Sequence, residues 1–180
     1  MFKKIVGHFC TITHHKWLVF KLCLSAGIPW RGFMHDWSKY SATEFWESAK
    51  YYAGKRSPIF YCKQENGYSN AWLHHKGRNK HHYEYWYDYT APEQTPIIPY
   101  KYTVEMICDT LAAGMTYRGK EWTNSWQKEY WERTNHLVKL NPKIFNLLTE
   151  VYDEVAEKGI KDVINKKTLK KLYEKHTQIK

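Results

Sequence analysis

The sequence predicts an all-α protein folded as a single helical bundle, and three observations support this fold class. Apolar residues recur at steps of three and four along several long stretches, which is the spacing of one buried helix face. No stretch shows the alternation of apolar and polar residues that is typical of a half-buried strand. The 180 residues, of which 17% are aromatic, suit one domain with a buried core.

The first predicted helix covers residues 3–26 and ends before a Gly-x-Pro stop signal at residues 27–29. Its apolar positions follow helical spacing: Ile5, Phe9, Ile12, Leu18, Leu22 and Leu24. His15 lies seven residues after His8, so we expect it on a core-facing stripe of this helix. The spacing leaves open whether His14 or His15 points inward.

Local signals also mark the following segments. The sequence SATE at residues 41–44 has the capping-box pattern and predicts a helix that ends before Gly54. Residues 57–69 contain a proline and an Asn-Gly pair and are predicted to form a loop. Ser69 or Asn70 is then predicted to cap the next helix.

Four of the ten histidines lie in the segment AWLHHKGRNKHHYEYWYD, which is predicted to be helical. In a continuous helix, histidines seven residues apart superpose almost two turns apart. This gives two self-consistent stripes, His74 with His81 and His75 with His82. We prefer the second stripe because Asn79 shares its face and can act as an amide ligand or as a partner of a ligand. The glycine within the segment counts against an unbroken helix.

The rest of the chain is also predicted to be helical. A proline-rich stretch at residues 91–101 predicts a non-helical connection. In the helix that follows, Glu105 and Asp109 lie four residues apart and project from one face. Three further helical patterns complete the chain: residues 125–131, residues 142–158 and a lysine-rich tail from residue 161.

The net charge of +10 favours anionic partners such as phosphate esters, nucleotides, nucleic acid or an acidic membrane surface. We expect a small phosphorylated partner; nucleic acid is less favoured because no recognisable DNA- or RNA-binding motif is present. Histidines and a lysine interrupt the apolar N-terminal stretch, so neither a signal peptide nor a membrane partner is expected. The four scattered cysteines suit reduced thiols, and we predict a cytoplasmic protein.

The candidate ligands follow one another in an order that resembles the HD superfamily of metal-dependent phosphohydrolases. In that pattern a histidine on one helix precedes a His-Asp dipeptide, further histidines and an aspartate on a late helix. The corresponding residues here are His15, His35-Asp36, the histidines between residues 74 and 82, and Asp109. The stretch Asp36-Trp37-Ser38-Lys39 is similar to an HDxxK variant of the dipeptide motif.

This resemblance covers about residues 8–115. It implies an HD-domain-like bundle that forms one domain over residues 1–180, with a metal-binding core at residues 1–116 and a C-terminal helical extension at residues 117–180. It also implies one or two divalent transition-metal ions. Mixed imidazole and carboxylate ligation suits Mn, Fe, Co, Ni or Zn.

The resemblance further implies individual roles. The expected metal ligands are His15, His35, Asp36, His75, His82 and Asp109. Asp36 is expected to bridge two ions or to be the central ligand, and Asp36, Lys39 and Glu105 are the predicted catalytic residues. Glu105 could be a ligand, a general base or an acceptor behind a ligand. Lys76 and Arg78 are predicted to bind the substrate phosphate, although such residues are also typical of a solvated helix face.

At whole-sequence level, HDWSKYSATEF, NGYSNAWLHHKGRNKHHYEYW and EMICDTLAAG resemble a DUF5662-like family of uncharacterised bacterial and phage proteins. That resemblance implies no activity. The leading hypothesis is a metal-dependent phosphohydrolase acting on a nucleotide-like or other phosphate ester. Two alternatives stay open: an HD-type di-iron oxidative enzyme, and a non-enzymatic helical protein that binds nucleic acid or another partner. The sequence does not determine the oligomeric state.

Overall fold

The computed structural model describes residues 1–179, and within that range the chain forms ten α-helices and no strand. The helices are α1 (Phe2–Ser25), α2 (Pro29–Met34), α3 (Ala42–Tyr51), α4 (Pro58–Asn66), α5 (Asn70–Lys76), α6 (Tyr100–Arg118), α7 (Trp126–Thr134), α8 (Pro142–Lys158), α9 (Ile160–Val163) and α10 (Lys166–Thr177). The all-α prediction is therefore confirmed. None of the helices in the described part of the chain is long and apolar enough to cross a membrane.

One cluster of buried apolar side chains joins the two ends of the chain. Helices α1, α6, α8 and α10 contribute to it, among others through Val19, Ile107, Leu111, Leu148, Val151 and Leu172. Burying an aliphatic side chain of this size stabilises the fold by about 1.5–3 kcal/mol. The C-terminal helices therefore cover the same core as α1 and α6, and this core crosses the boundary predicted at residue 116.

Helix α1 is apolar on two faces, and one of them is buried. The buried face presents His8, Ile12, His15, Val19, Leu22 and Cys23. Phe9 and Leu24, two of the predicted apolar positions, are instead 49% and 57% exposed. The predicted helix itself is confirmed, since α1 covers Phe2–Ser25. Apolar spacing does not distinguish its core face from its outer face, because both follow the helical period.

Close packing between α1 and α2 positions the segment after α2. A Cβ added at Gly32 would lie 2.6 Å from the Cβ of Cys23 and 3.0 Å from the Cα of Phe20. Non-bonded carbon atoms do not approach this closely, so glycine is what permits the two backbones to meet here. The chain that leaves α2 at His35 is thereby held against α1.

Residues 57–69 contain helix α4, so the loop prediction for this segment is wrong. Pro58 occupies the first helical position, where the missing N–H of proline costs no hydrogen bond. Gly67 follows the last turn with φ 78°, and its N–H donates to the carbonyl oxygen of Lys63. The proline and the glycine therefore mark the beginning and the end of a short helix.

The histidine segment does not form the continuous helix that the sequence predicts. Ser69 caps α5, since its Oγ accepts a hydrogen bond from the N–H of Trp72 at 3.1 Å, but the helix ends at Lys76. Residues 77–82 form turns, and the 3-10 turn Tyr83–Trp86 follows. The two histidine pairs therefore do not share one helical face, and the turns decide where the second pair lies.

Candidate metal centre

His35 and Asp36 lie between α2 and the 3-10 turn Trp37–Tyr40, and both side chains are buried. Asp36 has φ 54° and ψ 29°, in the left-handed region that few residues except glycine, asparagine and aspartate adopt. From α1, Lys16 Nζ donates to the carbonyl oxygen of His35 at 2.5 Å. These constraints direct both side chains of the dipeptide into the bundle.

A first group of candidate ligands forms where α1 and α6 meet this turn. His15 Nε2 lies 3.0 Å from Asp109 Oδ1, and His35 Nε2 lies 3.1 Å from Asp36 Oδ2. Each of the four residues offers a ligand atom within 4.8 Å of those of the others. Two imidazoles and two carboxylates at this spacing could hold a metal ion. The structure brings together the four residues expected for a first ion, and their ligand role stays a prediction.

A second group surrounds the other side of Asp36. Its members are Asp36, His75, His81 and His82, again with ligand atoms within 4.8 Å of one another. The turn after α5 returns the second histidine pair toward His75, so that the ring centroids of His75 and His82 lie 4.8 Å apart. The group contains the preferred pair, His75 and His82, and His81 in addition. His74 instead bonds Glu44, with 2.7 Å between Nδ1 and Oε1.

Asp36 belongs to both groups, and each of its carboxylate oxygens faces a different one. Oδ2 lies 3.1 Å from His35 Nε2 in the first group. Oδ1 lies 3.3 Å from the Nε2 atoms of both His75 and His81 in the second group. A carboxylate placed in this way could bridge two ions about 3.5–4 Å apart.

The inward-facing atoms of the cluster approach one another without hydrogen-bonding geometry. Within residues 1–179, the following buried atoms have no hydrogen-bond partner: Nε2 of His15, His35, His75, His81 and His82, and both oxygens of Asp36. Buried polar atoms are nearly always paired, since an unpaired one costs roughly 1–3 kcal/mol. Seven such atoms in one place, of which Asp36 Oδ2 also lies 2.6 Å from Lys39 Nζ, are what converging metal ligands show before the cation is added. The donor set therefore fits a divalent transition metal.

Two buried glutamates hold the outer nitrogens of the histidines. His35 Nδ1 donates to Glu105 Oε1 at 3.1 Å, and His81 Nδ1 lies 3.3 Å from the same oxygen. His75 Nδ1 donates to Glu44 Oε2 at 2.7 Å. A carboxylate on the outer nitrogen fixes the tautomer of the ring and turns the other nitrogen toward a metal.

Charges within the cluster shift its pKa values in opposite directions. Burial lowers the pKa of His75, but the carboxylates of Asp36 and Glu44 outweigh burial and raise this pKa to about 9. Burial raises the pKa of Glu105, but hydrogen bonds from two histidines outweigh it and lower this pKa to about 2. The pKa of Asp36 lies well below its ordinary value because His35 and neighbouring cations outweigh the effect of burial. Protons on imidazoles thus balance the carboxylates, and a bound cation would replace those protons.

A cavity of about 160 Å³ adjoins the cluster, and four of the candidate ligands line it. These are His15, His75, His82 and Asp109. Lys39 also lines the cavity, and its Nζ forms an ion pair with Asp36 Oδ2 at 2.6 Å. Lys39, a predicted catalytic residue, is therefore placed where it could contact an anion bound beside the cluster.

The other predicted functional residues do not line this cavity. Lys76 and Arg78, predicted to bind substrate, lie outside it, and Arg78 Nε donates to His74 Nε2 at 2.8 Å. Glu105 is fully buried behind the cluster, where it also forms a third group of candidate ligands with two of the histidines. The substrate role of Lys76 and Arg78 stays a prediction, as does the catalytic role of Glu105, whose carboxylate contacts the outer nitrogens of two histidines.

Sequence reasoning missed the second role of Glu44 and the contribution of Arg31. The N–H of Glu44 donates to Ser41 Oγ at 3.4 Å, as the capping box predicts. Because the capping box already accounts for a glutamate at this position, the sequence gives no sign that its carboxylate also bonds two histidines. Arg31 Nε donates to Glu105 Oε2 at 2.7 Å across 74 positions of sequence, a separation that leaves no periodic signal. Contacts of this kind require the three-dimensional structure.

The fold and the site define an all-α protein with a buried histidine–carboxylate cluster that could hold a metal ion. The chain matches the profile of a family of unknown function, DUF5662, over residues 4–154, and it belongs to that family. The whole-sequence resemblance to this family is thereby confirmed, and the matched range contains every residue of the cluster. No curated protein and no solved structure matches the chain.

Proposed function

We propose that the protein is a metal-dependent phosphohydrolase that cleaves a phosphate ester. The observation that supports this most is the position of Asp36, whose two oxygens face two groups of otherwise unpaired imidazole nitrogens. Paired metal positions that share a carboxylate are typical of sites that clamp a phosphoryl group from both sides. The net charge of +10 and the position of Lys39 at the cavity favour an anionic substrate.

The order of the ligands along the chain also supports hydrolysis. His15, His35-Asp36, the histidines at residues 75–82 and Asp109 follow the HD phosphohydrolase pattern, and they lie in one buried cluster. The order resembles the HD pattern, and the spatial grouping is what a shared metal site would require. The step from this site to a reaction is an analogy with that superfamily, so activity has to be measured.

The cluster residues would have the following roles. His15, His35 and Asp109 would hold one ion, and His75, His81 and His82 the other, with Asp36 between them. A divalent transition ion supplies Lewis acidity and lowers the pKa of bound water. Lys39 would neutralise negative charge on a phosphate that enters the cavity. Glu105 would hold two imidazoles in place, because its carboxylate is fully buried behind them.

The substitution Asp36→Asn tests the proposal directly. Asparagine tolerates the left-handed backbone of this position but is uncharged and has an NH2 group in place of one carboxylate oxygen, so metal should be lost while the helices are kept. We expect wild-type protein reconstituted with Mn, Fe, Co, Ni or Zn to contain metal and to release phosphate from a panel of esters. In the variant, the metal affinity and the rate of phosphate release should each fall at least about ten-fold. This is the loss expected when one metal-ligand interaction of about 1.4 kcal/mol or more disappears.

Asp153→Asn is the matched control, because Asp153 is a half-buried carboxylate that pairs with Lys128 and belongs to none of the candidate ligand groups. Elemental analysis, circular dichroism and phosphate release are measured on both variants. Wild-type protein that binds no metal after reconstitution would overturn the proposal. Metal without hydrolysis of any ester would restrict the protein to a different metal chemistry.

A second candidate function is that of a di-iron oxidative enzyme, and the number of histidines favours it. Five imidazoles direct an unpaired Nε2 into the cluster, and imidazole-rich sites suit iron. Purification under low oxygen, followed by iron analysis and a visible spectrum, distinguishes the two functions. A colourless zinc or manganese protein that cleaves phosphate esters would exclude the oxidative function.

A further inference from the structure

The cavity beside the cluster extends along α1 beyond the candidate ligands. His8 and His15 both line it, and they lie two helical turns, or about 10 Å, apart on the buried face of α1. Lys39 is the one lysine or arginine that lines the cavity within the described residues. The carboxylates of Glu44 and Asp109 line the cavity beside the histidines, and most of the remaining walls are uncharged, among them Thr11, Ser48 and Tyr117. The cavity thus combines one cationic region with a mainly uncharged remainder.

The volume of the cavity limits the size of its ligand. Pockets for drug-sized molecules measure about 300–1,000 Å³. The enclosed volume here is about 160 Å³, which lies below this range. We expect a phosphate with a short organic chain to fit this space better than the base and ribose of a nucleotide. The cavity therefore favours a smaller ester than the nucleotide-like substrate that the sequence suggests.

His8 gives the uncharged part of the cavity a specific polar group. Its side chain is 4% exposed, and its Nδ1 has no hydrogen-bond partner in the described part of the chain. The ring packs against Phe45 and Tyr52, with centroid distances of 5.2 and 5.9 Å. Burial, together with the charge of Lys39, lowers the pKa of His8 to about 4, so the ring is neutral at pH 7. A neutral imidazole offers one donor and one acceptor, which suits a hydroxyl group better than a second phosphate.

We propose that this cavity binds the organic part of a small hydroxylated phosphate monoester, and that His8 forms a hydrogen bond with one of its hydroxyl groups. The inference rests on the proposed phosphohydrolase function, because that function places the phosphate at Lys39 and the metal cluster. A substrate hydroxyl would pair with a buried nitrogen that otherwise has no partner. An ester without the hydroxyl leaves that nitrogen unpaired and binds more weakly for this reason.

The substitution His8→Leu removes both ring nitrogens and keeps an apolar side chain that suits the surrounding aromatic rings. His14→Leu is the matched control, because His14 lies on the exposed face of the same helix. The metal-loaded proteins are tested with glycerol phosphate, with ethyl phosphate, which has no free hydroxyl on carbon, and with adenosine monophosphate. Affinity is measured as KM where an ester is cleaved and as a calorimetric Kd where it is not.

We expect wild-type protein to bind glycerol phosphate about ten-fold more tightly than ethyl phosphate, which is the effect of one hydrogen bond of about 1.4 kcal/mol. Adenosine monophosphate should also bind more weakly than glycerol phosphate, because of its size. His8→Leu should bind glycerol phosphate only as well as ethyl phosphate, with its affinity for inorganic phosphate unchanged. His14→Leu should behave as the wild type. The wild-type ratio of glycerol phosphate to ethyl phosphate tests the hydroxyl contact even where His8→Leu does not fold.

The outcomes separate this inference from the function on which it rests. Adenosine monophosphate bound or cleaved as well as glycerol phosphate would overturn the size limit and leave a phosphohydrolase in place. Equal affinity for glycerol phosphate and ethyl phosphate in the wild type would overturn the hydroxyl contact. Binding of the small ester without cleavage would support the cavity assignment and count against hydrolysis. Failure to bind inorganic phosphate or any of the esters would overturn both.

Discussion

Asp36 meets two requirements at once, one of its backbone and one of its side chain. The residue has φ 54°, and its carboxylate lies between two groups of histidines. Aspartate and asparagine enter the left-handed region more readily than alanine, for which this conformation costs about 1–2 kcal/mol. Asp36→Ala would therefore combine backbone strain with loss of a ligand. Asp36→Asn separates the two effects, which makes it the more informative variant.

His8 should make the stability of the protein depend on pH. Burial and Lys39 lower its pKa in the folded protein to about 4, from 6.5 in the unfolded chain. Between these values the unfolded chain binds a proton that the folded protein does not. The free energy of unfolding should therefore fall as the pH falls from 6.5 to 4, by up to about 3 kcal/mol. Urea unfolding of wild type and His8→Leu between pH 4 and 7 checks this, and parallel pH profiles would contradict it.

Helix α3 contacts the candidate metal centre through Glu44, whose carboxylate bonds the Nδ1 atoms of two histidines on α5. Glu44→Gln keeps the shape of the side chain and removes its charge, so the orientation and basicity of the inner nitrogens should suffer. We predict a loss of metal affinity of about 10–100-fold with helical content retained. Competitive metal titration with a chromogenic chelator measures the loss.

Glu47→Gln is the matched control for this prediction. Glu47 lies on the same helix but accepts hydrogen bonds from Ser69 Oγ and the N–H of Ala71, not from a histidine. Its substitution should affect the beginning of α5 and leave metal affinity within about two-fold of the wild type, since a weakened cap costs stability of the helix rather than a metal contact. A loss as large as that in Glu44→Gln would mean that any weakening of the α3–α5 contact releases the metal.

The contact between α1 and α2 depends on Gly32, and Gly32→Ala should disturb it. The added Cβ would meet the side chain of Cys23 and the backbone of Phe20, and the backbone cannot move aside cheaply. We predict a loss of about 1–3 kcal/mol in the free energy of unfolding, as for other overpacked sites, measured by urea denaturation. Gly77→Ala is the control, since Gly77 has a right-handed conformation and should tolerate alanine. Equal stability of Gly32→Ala and wild type would show that α2 can shift.

The sequence predicts those elements whose ends carry local signals, as α1 and α3 show with their stop signal and capping box. The prediction from sequence fails for residues 77–82. The local pattern there suits a helix, but the chain forms turns in which His81 contacts Asp36 and Glu105. The order of the ligands in the chain predicts that His15 and Asp109 meet. It does not predict which histidines complete the second group, since this depends on where the chain turns back.

At the scale of the whole molecule, the helices beyond residue 116 cover the core on which α1 and α6 pack. A chain that ends at residue 116 retains every candidate ligand but exposes buried side chains such as Ile107 and Leu111. We predict that it neither folds stably nor binds metal with the affinity of the full chain, because several buried side chains worth about 1.5–3 kcal/mol each lose their cover. Circular dichroism and metal titration measure this. A folded, metal-binding fragment would instead favour the predicted division at residue 116.

The shared carboxylate of Asp36 also has a consequence for how the two proposed metal positions would fill. A cation in one group would draw on the charge of Asp36 and fix its rotamer, and both changes would affect the other group. The two binding free energies would therefore be coupled, and the factor by which the first ion alters affinity for the second must be the same in either order of loading. A calorimetric titration should then fit two coupled sites and not two independent, identical ones. The fraction of protein that carries one ion would then be smaller or larger than two independent sites would give, according to the sign of the coupling.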